Sequence, residues 1–363
     1  MSLHAPSPDL AMISFADSPG ARIVLVADDL TGAADAGAAF LRAGRTVRVW
    51  FGDRVAFSAP ESVQAFTTNS RSLSADRASR VVFRAVEALG SDPNSLFFKK
   101  VDSAARGPIA AELHAAQRAL STRATLFAPA FPGAGRIVRD GNLLIEDAGG
   151  QTRQVRLAGL FPILGRSRIA QISEPSDLAP ALDDGKSILI CDSTSQAELD
   201  ALTRESQKFP GLLYAGSAGL AHSLANLNAT GAAAAMVPPA ERTLLIAGSP
   251  HPATKCQLEE LDPASGLRVL RLGFRFGARS RIRSAVRSHA PQALILTGGD
   301  TALLAVHALE AHSFILQGEL APGIPWGLIQ GGMAHGCMVV TKSGGFGAPS
   351  VFNDILAAFR GTA

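Results

Sequence analysis

Short apolar runs alternate with stretches of helical spacing along most of the chain. "RIVLVA" (22–27), "TVRVWF" (46–51), "SVQAFTT" (62–68), "SLFFKKV" (95–101), "ATLFAPA" (124–130) and "SILICD" (187–192) read as strands. Between them, 35–44, 74–90, 109–120 and 197–207 read as helices. In the second of these, Ala78, Val81, Val82, Ala85 and Leu89 recur at helical spacing and mark the face expected to be buried. Near-continuous apolar strands separated by helices predict a mostly parallel sheet covered on both sides. The texture changes at "NLNATGAAAAMVPPAER" (226–242), whose alanine runs and Pro-Pro read as a linker. The strand pattern then restarts with "TLLIAGS" (243–249), "LRVLRL" (267–272), "ALILTGG" (293–299) and "MVVTKSGGFG" (338–347). The expected architecture is two α/β domains, 22–225 and 243–363, with mostly parallel sheets and a ligand cleft between them. Residues 1–21 read as a disordered extension.

Composition narrows the class. With 363 residues the chain can bury a large core, and 47% hydrophobic against 18% charged residues describes a globular protein. The net charge is only +3, the arginines are scattered, and one Tyr and two Trp cannot interleave with them, so a nucleic-acid partner is not expected. No apolar run reaches the roughly 18 residues of a membrane span, so no membrane partner is expected either. Cys191, Cys256 and Cys337 are few, odd in number and far apart, which suits a reducing compartment. The opening residues lack the basic start and apolar core of a signal peptide, and a cytoplasmic enzyme is expected. A homodimer is among the assemblies this reading allows. None of the eight histidines is spaced as a metal-ligand pair, so no protein metal site is expected.

The chemistry gathers at strand ends, where open α/β sheets bind ligands. "LVADDLTG" delivers Asp28 and Asp29; "AFTTNSRS" delivers Ser70 and Arg71; "FFKKVDSAARG" delivers Lys100, Asp102, Ser103 and Arg106; "LFAPAFPGAGR" brings Arg136. Acids and cations on one rim suit a small, polar, anionic ligand, and arginine forks suit a carboxylate. The later strands end differently. "AGS" places Ser249; "TGGDTA" places Gly298, Gly299, Asp300 and Thr301; "TKSGGFG" places Lys342, Ser343, Gly344, Gly345, Phe346 and Gly347. Glycine turns before helices expose backbone amides and cradle phosphates. Neither "GxxxxGK[ST]" nor a "GxGxxG" after the first strand is present, which argues against a P-loop NTPase and an ordinary dinucleotide fold. A haloacid-dehalogenase-type Asp-x-Asp-x-Thr fits neither register of the Asp28–Asp29 pair.

Taken in order, "VADDLTGAADAG", "TNSRS", "KKVDSAARG", "APAFPGAGR", "YAGSAGLA", "LTGGDTA" and "TKSGGFG" resemble the four-carbon acid sugar kinases, from about residue 22 to the end. The resemblance implies an N-terminal acid-sugar domain and a C-terminal nucleotide domain. It implies phosphate transfer from ATP, with Mg²⁺ travelling on the nucleotide, to the terminal hydroxyl of threonate, erythronate or a 3-oxo relative. Asp28 or Asp29 would then hold the acceptor hydroxyl, with Asp102 in reserve, while Arg71, Lys100 and Arg106 meet carboxylate and phosphoryl charge. The chain departs from the family pattern at Ala104, Ala105 and Pro108, at Thr67 and in "AGSPHPAT", and it is shorter between residues 140 and 290. A non-catalytic sugar-acid or nucleotide sensor and a nicotinamide-dependent dehydrogenase are the alternatives.

Overall fold

The computed structural model describes residues 22–51, 62–89, 95–146, 150–162, 166–231, 235–273 and 277–361; the expected extension over 1–21 lies outside them. The N-terminal half runs β1 (Ile23–Ala27), α1 (Leu30–Arg42), β2 (Val47–Trp50), β3 (Val63–Thr67), α2 (Ala75–Leu89), β4 (Leu96–Lys100), α3 (Ile109–Leu120) and β5 (Ala124–Ala128). It continues with β6 (Arg136–Arg139), β7 (Asn142–Glu146), β8 (Thr152–Arg156), β9 (Ile169–Ile172), α4 (Leu178–Asp183), β10 (Ile188–Cys191), α5 (Gln196–Ser206), β11 (Leu212–Gly216) and α6 (Ala218–Asn226). The C-terminal half holds β12 (Thr243–Ala247), α7 (Pro252–Glu259), β13 (Arg268–Arg271), α8 (Ala278–His289), β14 (Ala293–Thr297) and α9 (Gly299–Ala308). It closes with β15 (Ser313–Ala321), β16 (Ile324–Gln330), β17 (Met338–Lys342) and α10 (Val351–Arg360).

The α/β, mostly parallel architecture is as expected. The two halves nevertheless share one 14-stranded sheet, ordered β13-β12-β14-β17-β16-β15-β2-β3-β1-β4-β11-β5-β10-β9. Within the halves, β9–β10–β5–β11–β4–β1–β3–β2 and β13–β12–β14–β17 pair in parallel. The β15–β16 hairpin joins them through antiparallel pairing to β2 and β17, with register shifts at Leu316/Gly318 and Glu319/Ala321. Such irregularities bend a strand. A separate antiparallel sheet, β6-β7-β8, stands beside the N-terminal half.

Two helix readings are corrected. The first helix begins at Leu30, not at 35, because the Asp29 side chain caps it by accepting from the Gly32 N–H at 2.7 Å. Apolar periodicity cannot register a cap made by a carboxylate. In α2 the buried residues are Ala78, Val82 and Val86, while Val81 is 38% exposed; the face follows i, i+4, i+8 and is narrower than expected.

The small side chains of α1 also have a packing reason. The helix packs on β2, β3, β15, α6 and α9, and so touches both halves. A Cβ on Gly37 would lie 3.0 Å from both Leu316 and Val47. Alanine and glycine let α1 lie close to the strands where the two halves of the shared sheet meet, which brings its N-terminus to the boundary.

Candidate active site

The residues after β1 do not stand free on the rim. Asp28 and Asp29 are both buried. Arg71, carried by the loop after β3, reaches back and clamps them. Its Nε donates to Asp28 Oδ2 at 2.7 Å, Nη2 to Asp28 Oδ1 at 3.0 Å and Nη1 to Asp29 Oδ2 at 2.7 Å. Asp29 Oδ2 also accepts from Thr31 Oγ1 at 2.9 Å. Burial pushes the Asp29 carboxyl above its ordinary pKa, opposed by the Arg71 charge and reinforced by Asp28. Burial likewise works against the Arg71 charge, but Asp29 and Asp28 outweigh it and hold the guanidinium above its usual range.

The strand β4 sorts its two lysines by the alternation of a pleated strand. Lys99 turns into the core, 2.7 Å from Glu112 of α3. Lys100 turns to the rim, where its ammonium donates to the Val101 carbonyl at 2.8 Å. Asp102 follows and is already occupied. It accepts from the N–H groups of Ala104 and Arg106 (3.2 and 3.1 Å) and from Arg106 Nε and Nη2 (2.8 and 2.7 Å). Burial favours its neutral form, yet the Arg106 hydrogen bonds and the Arg71 and Arg106 charges prevail and hold it well below the usual carboxylate range. Ser70 is fully buried; its Oγ lies 2.7 Å from Thr68 Oγ1 and its N–H donates to the Asp28 carbonyl, so it shapes the turn that aims Arg71. Ser103 is half-buried on the same loop.

Arg136 is different. Its Nη1 donates to the Ala134 carbonyl, and its guanidinium stands 5.5 Å above the Phe346 ring of the C-terminal half. Its Nε is buried with no hydrogen-bond partner among the described residues. Burial lowers its pKa, offset in part by Asp102. A buried, unsatisfied guanidinium donor is costly unless a ligand completes it.

In the C-terminal half, three strand ends converge. Gly298, at φ 95°, turns the chain from β14 into α9, and no side chain caps that helix. Gly299 opens it against Asp29: a Cβ there would collide with Asp29 Oδ2. Asp300 is exposed on the first turn, while Thr301 is buried and packs on Gly248. Ser249 lies between Gly298 and Gly344, and a Cβ on Gly344 would collide with its Oγ.

The loop after β17 has its carbonyls taken from behind. Lys342 is wholly buried, and its ammonium donates to the carbonyls of Ser343 (2.9 Å), Gly344 (3.2 Å) and Phe346 (3.1 Å). Burial lowers its pKa to about 8. From α7, Thr254 Oγ1 donates to the Gly344 carbonyl at 2.8 Å. Gln257 Nε2 donates to the carbonyls of Phe346, Gly347 and Ala348 at 2.9, 2.9 and 3.2 Å. In a trans peptide the N–H points opposite to the carbonyl it shares a plane with. The amides of Gly344, Gly345 and Gly347 therefore face away from Lys342 and Gln257. Lys342 backs this loop and does not project from it. Thr254 and Gln257, which the sequence reading passed over, brace it.

The two groups meet across the halves. Ser343 Oγ donates to Thr31 Oγ1 at 2.9 Å, Gly299 covers Asp29, and Phe346 lies under Arg136. The glycine-lined cradle and the uncapped α9 N-terminus suit the phosphates of a nucleotide. Among the described residues, no group of three or more His, Cys, Asp or Glu side chains is arranged to hold a metal ion, and no helix is long and apolar enough to cross a membrane.

Known proteins resemble the chain along nearly its whole length. A sugar-binding N-terminal domain model matches residues 23–164, and a nucleotide-binding C-terminal domain model matches residues 276–352. A D-threonate kinase from Bordetella bronchiseptica is 30% identical over 405 residues, covering 94% of this chain and 98% of the relative. A D-threonate kinase from Salmonella typhimurium is 25% identical (92% and 97% covered), as is a 3-oxo-tetronate kinase from Pseudomonas fluorescens (93% and 96%). A crystal structure of a Salmonella typhimurium LT2 protein superimposes with a TM-score of 0.71 at 19% identity, covering 92% of this chain and 98% of that one. A Bordetella bronchiseptica domain of unknown function, solved with bound citrate as a domain-swapped dimer, gives 0.50 at 29% identity, covering 94% and 98%. The chain is a phosphotransferase that acts on a hydroxyl of a sugar acid, and it belongs to the four-carbon acid sugar kinase family.

Proposed function

We propose that the protein transfers the γ-phosphoryl group of ATP to the terminal hydroxyl of a four-carbon sugar acid, with D-threonate the first substrate to test. Residues 22–225 hold the sugar acid and 243–363 the nucleotide. The observation that carries this reading is the meeting of Gly299, at the uncapped start of α9, with the Asp28–Asp29–Arg71 cluster. A helix end of the kind that suits phosphate lies against a polar, cation-rich rim, which supports the reading. Arg136, with its unpartnered Nε, receives the carboxylate of the sugar acid, and Phe346 holds its guanidinium plane. The carboxylate ligand of the related citrate-bound protein suits such a site. The Gly344, Gly345 and Gly347 amides and the first turn of α9 take the ATP phosphates, with Ser249 beside them. Mg²⁺ arrives on those phosphates and neutralises charge as it transfers. Arg71 orders Asp28 and Asp29 as the wall of the acceptor site.

A coupled ADP-release assay against D- and L-threonate, D- and L-erythronate and 3-oxo-tetronate tests the reading. Turnover that depends on both ATP and one of these acids is expected. ADP release at the same rate with and without every acid would refute it.

A further inference from the structure

A carboxylate oxygen with no donor already on it is the readiest base for the acceptor hydroxyl. The three aspartates at the strand ends lack one. Arg71 takes both oxygens of Asp28; Gly32, Thr31 and Arg71 share those of Asp29; and four donors from Ala104 and Arg106 converge on Asp102. A fourth acid lies one helical turn further on. Asp35 follows Gly32 by three residues and Thr31 by four, so it shares their face of α1. Helical side chains lean toward the helix N-terminus, so Asp35 leans toward the first turn of α1. Gly32 is small because the Asp29 carboxylate and the Lys100 ammonium close on it. A Cβ on it would lie 2.7 Å from Asp29 Oδ1, 3.4 Å from Lys100 Nζ and 3.8 Å from Asp28 Oδ1. Asp35 is half-buried, and among the described residues it accepts no hydrogen bond.

Resting on the kinase reading above, we propose that Asp35 is the catalytic residue that takes the proton from the terminal hydroxyl of the sugar acid. The terminal hydroxyl meets Asp35 on the side of α1 that Lys100 faces. The hydroxyl oxygen bonds to the γ-phosphorus as the bond from that phosphorus to the bridging oxygen of ADP breaks and its electron pair leaves with ADP. The hydroxyl proton passes to an Asp35 oxygen and is released to solvent after product departs. Lys100 offers positive charge beside the forming bond.

The charges facing Asp35 set where it titrates. Lys100 comes from the end of β4, Glu319 from β15 and Arg136 from β6, while Asp29 and Arg42 share its own helix. Burial raises the Asp35 carboxyl to about 6; Lys100 and Arg42 oppose the rise, and Glu319 and Asp29 add to it. A carboxyl titrating there is ionised, and able to act as a base, above that pH, and it is protonated below it.

The test measures kcat and KM from pH 5 to 9 for the wild type, Asp35→Asn and Asp35→Glu, on whichever four-carbon acid the wild type turns over. Calorimetric titration of that acid and a thermal melt accompany each variant. The wild type should lose kcat/KM about tenfold per pH unit below about pH 6. Asp35→Asn should lose about 10²-fold or more in kcat and lose the acidic limb, with Kd for the acid within about threefold of wild type. Asp35→Glu should restore part of kcat together with the acidic limb. Should Asp35→Asn melt early, Asp35→Ser carries the same comparison. Wild-type kcat in Asp35→Asn, an acidic limb that persists in it, or a loss confined to Kd would overturn the assignment. A wild type inactive on every four-carbon acid would instead remove the substrate reading, and this inference with it.

Discussion

Arg136→Ala should raise KM for the sugar acid by about 10²- to 10³-fold. Truncating one side of a desolvated charge pair costs about 2–5 kcal/mol, and each 1.4 kcal/mol is tenfold. Arg136 has the geometry for so large an effect. Among the described residues its Nε is buried and unpartnered and its Nη1 has only the Ala134 carbonyl, and its plane is held over Phe346. The fold should survive, because only that carbonyl bond and the ring contact are lost. ATP affinity should change little, since the amides proposed for phosphate belong to the β17–α10 loop and α9. Arg136→Lys should recover only part of the loss, because an ammonium cannot bond both carboxylate oxygens in one plane. Steady-state kinetics with the sugar acid varied at saturating ATP checks this. A KM within threefold of wild type would reduce Arg136 to a prop for Phe346.

Gly299→Val should lower kcat by about 10²-fold or more while each substrate still binds alone. The position meets Asp29, whose carboxylate cannot step aside because Gly32, Thr31 and Arg71 hold it. A branched side chain there must push the start of α9 away from β1 and α1, which separates donor from acceptor. Misplacing reacting groups by about 1 Å can cost about 10²-fold. Calorimetric titration of ATP and of the sugar acid separately, beside turnover, tells loss of alignment from loss of binding. Near wild-type kcat would show that the two halves need not approach at this point.

The strands bearing the site were legible because each is an apolar run ending abruptly in polar or glycine residues, and β1, β3, β4, β14 and β17 fall where that pattern puts them. The hairpin β15–β16 was not. Its pairing to β2 depends on a strand more than 260 residues earlier, and no local periodicity encodes a partner. The β6–β7 hairpin did carry a local signal, Asp140-Gly141 with both residues at positive φ, which the strand reading above does not use. Within the site, motif order identified which residues gather but not which way they face. The Arg71 guanidinium turns to Asp28 and Asp29, and the Lys342 ammonium turns to the carbonyls of its own loop, neither of which motif order encodes. Asp35 was passed over because it is not a strand-end residue. Counting three and four residues on from Gly32 and Thr31 along a helix would have found it.

Phosphorus NMR of the product bears most directly on the central claim. The protein would be incubated with ATP, Mg²⁺ and D-threonate, or the four-carbon acid that turns over best. The account predicts one new phosphomonoester, formed in step with ADP and split by the two protons of a terminal CH₂ group. A phosphomonoester split by a single proton, from a secondary hydroxyl, or ADP formed with free phosphate alone, would contradict it.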